Sequence, residues 1–385
     1  MSTLDEIVAR EFPRVREGVI YLNSASTGPL PERARRVAQA EADRRSVPWT
    51  YGAAEQFGTL DRSRELVARM IGASTAEIAL MMNTSAGINL AARSLPFARG
   101  DVIVTSDRDF PANVYPWMAL ARDVGVEIRR LPCRDRWFDE EGLLAAIEAP
   151  GVKALVVSWV SFESGMRLDL DRLGAACRAR GVYFVVDAIQ GLGPLTLDLR
   201  RTPVDILACG TQKWLLSPWG SGFVYVREGL VRELEPRQVS WMSMEGTDDF
   251  TRLLDYRFQY WPDARRFEMV TLPYQDFATM NASLEVLEEI GHAAVAARVA
   301  SLADHLVRRA EEIGLMVVTP TDPARRAGIV AVRPSDPAAI AERLTAAGVV
   351  FSLREGAIRL SPHVFTPVEH IDRAMDLMRA GHSAG

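Results

Sequence analysis

Short apolar, β-branched runs bounded by turn residues recur along the first two thirds of the chain. They are Glu77–Asn83, Asp101–Ser106, Val126–Leu131, Lys153–Ser161, Tyr183–Ile189, Ile206–Gly210 and Gly222–Arg227. Between several of them lie stretches with apolar residues at helical spacing, Asp171–Arg180 among them. Strands alternating with helices build βαβ units, so the pattern predicts an α/β fold. Its centre is a seven-stranded, mainly parallel sheet covered on both faces. Past residue 275 the pattern changes. Helical stretches at Ala278–Ile290 and Ala293–Ile313 lead into shorter runs at Met316–Thr319, Ile329–Arg333, Val349–Arg354 and Ala357–Leu360. These predict a smaller α/β C-terminal domain over 276–385, beside a large domain over 15–275. Residues 1–14, with a helix predicted at Leu4–Glu11, are expected to pack on the smaller domain. Gln238–Pro273 is rich in Trp, Asp, Phe and Tyr without a period, and reads as a long functional loop.

A length of 385 residues is ample for a core that needs no disulfide or structural metal. Forty-five basic against fifty acidic residues give no cationic excess, so no nucleic-acid partner is expected. The N-terminal segment carries acids where an export signal would carry lysine or arginine. No apolar run approaches the roughly 18 residues a membrane span requires. Cys133, Cys177 and Cys209 are widely spaced, forming neither a disulfide framework nor a CxxC metal site. The expectation is a cytoplasmic protein with no membrane partner and no metal. Only Lys153 and Lys213 are lysines; every other basic residue is arginine. A lysine kept against that bias invites a chemical reason, because arginine cannot serve as an amine nucleophile.

Lys213 follows the run Ile206–Gly210, at the strand end where open α/β sheets place ligands. Beside apolar neighbours and Trp214 and Trp219 its ammonium would be partly desolvated, which favours the free amine. Such an amine condenses with carbonyl compounds, pyridoxal 5′-phosphate (PLP) among them. An ordinary strand-end lysine in an ion pair accounts for position alone equally well. Asp187 decides between the two. It ends the run YFVVD, where an unpartnered carboxylate is costly. A pyridine nitrogen is a suitable partner: held protonated by the carboxylate, the ring becomes an electron sink. A helix-capping role for Asp187 is weakened by Gly191, Gly193 and Pro194. Asn83–Gly87 precedes a helix predicted at Ile88–Leu95 and offers hydroxyls and N–H groups to an anion, though such caps are common. Phe110 stands beyond the second strand, where it could stack on a ring or simply pack in the core.

The segment Val204–Val224 resembles the cofactor-attachment signature of the class V aminotransferase family, of PLP fold type I. The matching features are Asp205, the run Gly210–Thr211–Gln212–Lys213, and Gly220–Ser221–Gly222 after six intervening residues. The resemblance extends over most of the chain, through YLNSASTGPLP, NTSAGINL, FPANVYPW, VVDAIQ, RRFEMVT and IRLSPH. It is nearest the branch of isopenicillin-epimerase-like proteins and kynureninases. It implies a PLP enzyme working through Schiff-base and quinonoid intermediates on an amino-acid substrate, as a homodimer with shared sites. Lys213 would hold the cofactor and move the Cα proton, Asp187 would pair with the ring nitrogen and Gln190 would touch the 3′-oxygen. Phe110 would stack on the ring, where the cysteine-desulfurase branch has histidine. Thr84, Ser85 and Gln212 would hold the phosphate, with Thr271 reaching in from a second subunit. Asn23 and Arg359 would receive the substrate carboxylate; for Asn23, a turn role is the plainer reading of the residues alone.

Departures from the family are informative. Val270–Thr271 stands where Gly-Thr is frequent, and Val364–Phe365–Thr366 where many relatives have Phe-Tyr-Asn. The stretch FSLREGAIRL around Arg359 holds no cysteine, which disfavours a desulfurase. His363 reads as a structural histidine rather than a substrate contact, and Trp159, Trp241 and Tyr260 as either pocket lining or packing. The preferred outcome is an aminotransferase. The alternatives are a C–S or C–C lyase, an epimerase, or a PLP-fold binding protein without turnover. A nicotinamide enzyme is disfavoured by the missing G-x-G-x-x-G.

Overall fold

The sheet strands alternate between two apolar layers. In the computed structural model, which describes residues 3–16, 18–269 and 271–382, Leu80, Val104, Leu155, Val186 and Leu207 enter one core cluster. Their strand neighbours Ala79, Ile103, Val156, Val185 and Ala208 enter another. Because both faces are covered, the strands read as unbroken apolar runs.

In chain order the strands are β1 (Ile20–Tyr21), β2 (Ile78–Met81), β3 (Val102–Ser106), β4 (Glu127–Leu131), β5 (Val152–Ser158), β6 (Tyr183–Asp187), β7 (Ile206–Gly210) and β8 (Gly222–Val226). The C-terminal part adds β9 (Met316–Val317), β10 (Val330–Arg333), β11 (Val349–Val350), β12 (Ser352–Arg354) and β13 (Ala357–Leu360). The large sheet has the order β2-β8-β7-β6-β5-β3-β4. β8 lies antiparallel to both neighbours and the other pairs are parallel. A second, antiparallel sheet has the order β12-β13-β10-β9, and β1 pairs with β11.

Two expectations are corrected. The run Val349–Arg354 is two strands: β11 joins β1 in parallel, while β12 turns away at Phe351 to pair with β13. The helix after β2 is Thr84–Ser94, so the NTSAG segment is its capped first turn and not a preceding loop. Asn83 accepts from the Ala86 N–H at 2.9 Å there. A Cβ on Gly87 would lie 2.4 Å from Val224 Cγ2 and 2.7 Å from Ala208 Cβ, so glycine lets this helix rest directly on β7 and β8. Residue 276 lies within the helix Tyr274–Ile290. Phe277, Met280, Leu284 and Leu287 of that helix are buried in the large-sheet core.

The next helix, His292–Glu312, carries Leu302 and Leu306 into a separate core with Val330, Ile358 and Leu360. The helix Leu4–Glu11 docks through Arg10 on Glu289 (2.8 Å) and Glu11 on the Arg33 N–H (2.9 Å). Leu22, just after β1, is what enters the C-terminal core. Gln238–Pro273 forms two short 3-10 turns, Trp241–Ser243 and Ala264–Phe267, and an antiparallel bridge between Met244 and Tyr260 among its described residues.

Candidate active site

β5, β6 and β7 end at one edge of the sheet. Ser158 lies beside Asp187 in register, and Asp187 beside Ala208. Lys213 follows on the loop leaving β7. The cavity at this edge is lined by Phe110, Ser158, Val160, Phe162, Asp187, Ile189, Gln190 and Lys213. Asp187 is buried and accepts the Ile189 N–H at 2.9 Å. Burial pushes its carboxyl up to about 7; the charge of Asp109 adds to the rise and Lys213 opposes it. The same desolvation brings the Lys213 ammonium down to about 8, against the attraction of Asp187. The amine therefore gives up its proton far more readily than an ordinary lysine, with roughly a tenth of it free at pH 7. Lys153, by contrast, sits at the opening end of β5, its Nζ 5.8 Å from the Tyr183 ring centre.

Sequence reasoning missed Asp109. It is buried and accepts from the backbone N–H and hydroxyl of Ser158, from the Phe110 N–H (2.8 Å) and from Asn113 Nδ2 (3.1 Å). It thereby pins the loop after β3 to the end of β5 and aims Phe110 at the cavity. No spacing marks it among the other aspartates. Phe110 is 40% exposed, so core packing does not explain it. Its ring centre is 5.5 Å from Lys213 Nζ, and it meets Phe162 edge-on at 5.2 Å. Gln190 is buried, donating from Nε2 to Ala25 O (3.0 Å) and accepting from Trp214 Nε1 (2.7 Å). One Nε2 hydrogen remains for a ligand oxygen.

At the end of β7, just before Lys213, Thr84 Oγ1 accepts from the Gly210 N–H at 2.8 Å. A Cβ on Gly210 would lie 2.6 Å from Gln212 Oε1 and 3.3 Å from Thr84 Oγ1, so glycine at position 210 leaves room between these two side chains. Ser85 is exposed on the same helical turn. Unpaired N–H groups at the start of Thr84–Ser94 favour an anion there. Thr271 is exposed and is not among the residues lining the Lys213 cavity; Val270 lies outside the described residues.

Arg359 on β13 is 2% exposed. It donates from Nη1 to Phe162 O (2.7 Å) and from Nη2 to Ser26 Oγ (2.8 Å), while its buried Nε has no acceptor. No carboxylate among the described residues pairs with it, and burial lowers its guanidinium to about 10. Ser352 joins the group, donating to Asn23 Oδ1 at 2.8 Å and lying 3.0 Å from Ser26 Oγ. Asn23 and Arg359 are thus brought together through Ser26 and Ser352. Neither serine was legible without the β12–β13 pairing.

The remaining candidates separate cleanly. His363 is fully buried, with Nε2 3.0 Å from Trp214 O and Nδ1 accepting the Val364 N–H at 2.8 Å. Burial lowers it to about 4, so it is a neutral structural ring. Trp159 is buried against Gly191, while Trp241 and Tyr260 do not line the Lys213 cavity. Cys209 projects to the opposite face of β7 from Asp187, and burial raises its thiol well above the usual range. Burial likewise raises Cys133 to about 11 and Cys177 to about 12, so no thiol here is poised as a thiolate.

The arrangement fits PLP. A desolvated amine and a buried carboxyl face one cavity, a glycine-held cradle lies at a helix N-terminus, and a buried guanidinium lacks a counter-carboxylate. Among the described residues there is no cluster of three or more His, Cys, Asp or Glu suited to a metal, and no helix long and apolar enough to cross a membrane.

Comparison with known proteins agrees with this geometry. The isopenicillin N epimerase of Streptomyces clavuligerus is 33% identical over 99% of this chain and 99% of its own length. A probable cysteine desulfurase of Methanothermobacter thermautotrophicus is 29% identical over 74% of this chain and 70% of its own. Among solved structures, the cystine C-S lyase C-DES, in complex with its product cysteine persulfide, superposes with a TM-score of 0.87. It is 22% identical and covers 96% of this chain and 99% of that one. The shared fold is fold type I of the PLP-dependent enzymes. With the model for aminotransferase class-V matching residues 20–373, the chain belongs to that family.

Proposed function

We propose that the chain is a PLP-dependent enzyme acting on an α-amino acid, and that its reaction is amino-group transfer. The observation that carries the reading is the buried, carboxylate-free guanidinium of Arg359 beside the same cavity as the Lys213 amine. When bound, PLP supplies a carbonyl carbon for amines and an electron sink for the pair left by a departing proton. Arg359, helped by Asn23, Ser26 and Ser352, fixes the substrate α-carboxylate and so fixes where Cα lies. Asp187 holds a proton at the ring-nitrogen end, and Phe110 covers one ring face. Thr84, Ser85 and Gln212 receive the phosphate.

Lys213 Nζ takes the proton from substrate Cα. Besides Lys213 and Asp187 the cavity lining offers no titratable side chain. A single base that carries its proton away from Cα along one face supports transfer of the amino group. Return of that proton to Cα would be epimerisation, a reading favoured by the relative that matches end to end. Sulfur capture by a protein thiol has no support, since all three cysteines are held protonated. We further propose a homodimer in which the partner supplies Thr271. The support is an apolar surface beside the site, where Met82 and Met269 are 51% and 39% exposed.

The test has two parts. Borohydride reduction of the yellow protein, followed by peptide mapping, should place the pyridoxyl group on Lys213; a label on Lys153 overturns the reading. Amino acids are then assayed with and without a 2-oxo acid acceptor. Oxo acid formed only with the acceptor is the expected result. Oxo acid without an acceptor means a lyase, and inversion without oxo acid means an epimerase.

A further inference from the structure

The pocket mouth carries a charge that the proposed function leaves unused. β12 and β13 form a hairpin whose tip residues Glu355 and Gly356 have φ of 47° and 73°. Two successive left-handed residues are what a type I′ turn requires, and glutamate seldom accepts that conformation. The turn fixes the register, with Arg354 opposite Ala357 and Ser352 opposite Arg359. Side chains alternate along a strand, so Ser352, Arg354 and Arg359 share one face. Arg354 and Arg359 are diagonal neighbours on it, roughly 7–8 Å apart at Cα. That face is the pocket side, because Arg359 and Ser352 both reach Ser26 from it.

The surrounding charges do not neutralise Arg354. Among the described residues its guanidinium donates only to the neighbouring Leu353 carbonyl, at 3.1 Å. Glu355 lies 4.0 Å from Arg108 instead. Glu163 is buried and already shared, with Arg108 at 2.8 Å and Arg136 at 2.6 Å. Four guanidiniums thus stand around two carboxylates. The α-carboxylate of an amino acid balances Arg359; one positive charge is left over, and it is Arg354.

We propose that Arg354 is a specificity residue for an anionic side chain, so that the substrate is an amino acid bearing a second carboxylate. This rests on the reading in which Arg359 takes the α-carboxylate. The guanidinium fork suits a carboxylate better than an amide, which brings no charge. Because Arg354 is exposed, its contribution falls as salt screens it.

The experiment titrates the PLP-loaded enzyme with aspartate, glutamate and the next longer homologue, each against its side-chain amide, reading the cofactor absorbance. In parallel, glutarate and butyrate, which lack the amine, are titrated by calorimetry. At least one acid should bind about tenfold more tightly than its amide, as a hydrogen-bonded charge pair does. Arg354→Gln should erase that advantage and leave the amides within about twofold, while Arg354→Lys should keep part of it. Acids and amides binding alike, or Arg354→Gln weakening both alike, overturns the proposal. If no amino acid alters the spectrum but glutarate still outbinds butyrate through Arg354, the Lys213 reading falls and this one stands.

Discussion

Arg64 and Arg359 are both buried, 5% and 2% exposed, yet the chain treats them in opposite ways. Arg64 grips Glu268 with Nε at 3.1 Å and Nη2 at 2.7 Å. Glu268 also accepts the Leu80 N–H at 2.9 Å, and its carbonyl receives the hydroxyls of Ser240 and Ser243. One ion pair therefore fastens the helix Ala53–Ile71, β2 and the long 238–273 loop together. Among the described residues Arg359 has only hydroxyls and a carbonyl, and one of its donors has no acceptor. Neutral dipoles offset only part of the desolvation of a cation. A buried charge balanced from within is a fastening. One left unbalanced costs stability and is explained by a ligand.

The largest effect should come from breaking the fastening. Arg64→Met strands Glu268 in the core, and its removal should cost about 3–5 kcal/mol of unfolding free energy, read by denaturant titration. Adding Glu268→Leu removes the stranded carboxyl and should recover much of that loss. Arg359→Met should behave in reverse. It strands no carboxylate, so stability should hold or rise. The specificity constant for the amino acid should fall roughly ten- to a hundredfold, the worth of a hydrogen bond to a charged group. If Arg359→Met loses as much stability as Arg64→Met, the contrast between the two sites is wrong.

The contrast also shows what the sequence could disclose. Lys213 and Asp187 were legible because each follows an apolar strand that ends at the ligand edge, and because lysine is so rare in this chain. The large sheet was legible because its runs are buried on both faces. Arg359 was found only by family resemblance, since nothing in GAIRL tells a paired arginine from an unpaired one. Ser26, Ser352, Asp109 and Arg354 act through pairings between distant segments, which no local period encodes. The split of Val349–Arg354 into β11 and β12 has the same origin: two partners compete for one extended run, and tertiary pairing settles it.

The smallest effect tests whether the pocket charges are as loosely coupled as the contrast implies. Lys213 is lowered to about 8 chiefly by burial, and Asp187 is the first attraction opposing it. In protein stripped of PLP, the rate at which Lys213 captures an added aldehyde should therefore rise with pH about a midpoint near 8. Asp187→Asn removes the opposing charge and should move that midpoint downward, because the ammonium loses its support. A fixed ion pair like that of Arg64 would instead give a midpoint above the ordinary lysine range and a large fall on substitution. Stability carries the same sign. The folded amine releases its proton near 8, while the unfolded one holds it to about 10.5. Between those values the unfolded state binds more protons, so position 213 should contribute stability that increases with pH. Lys213→Met should flatten that part of the profile in chemical denaturation. A slope that survives the substitution would assign the titration to another group and remove Lys213 from the class of unbalanced charges.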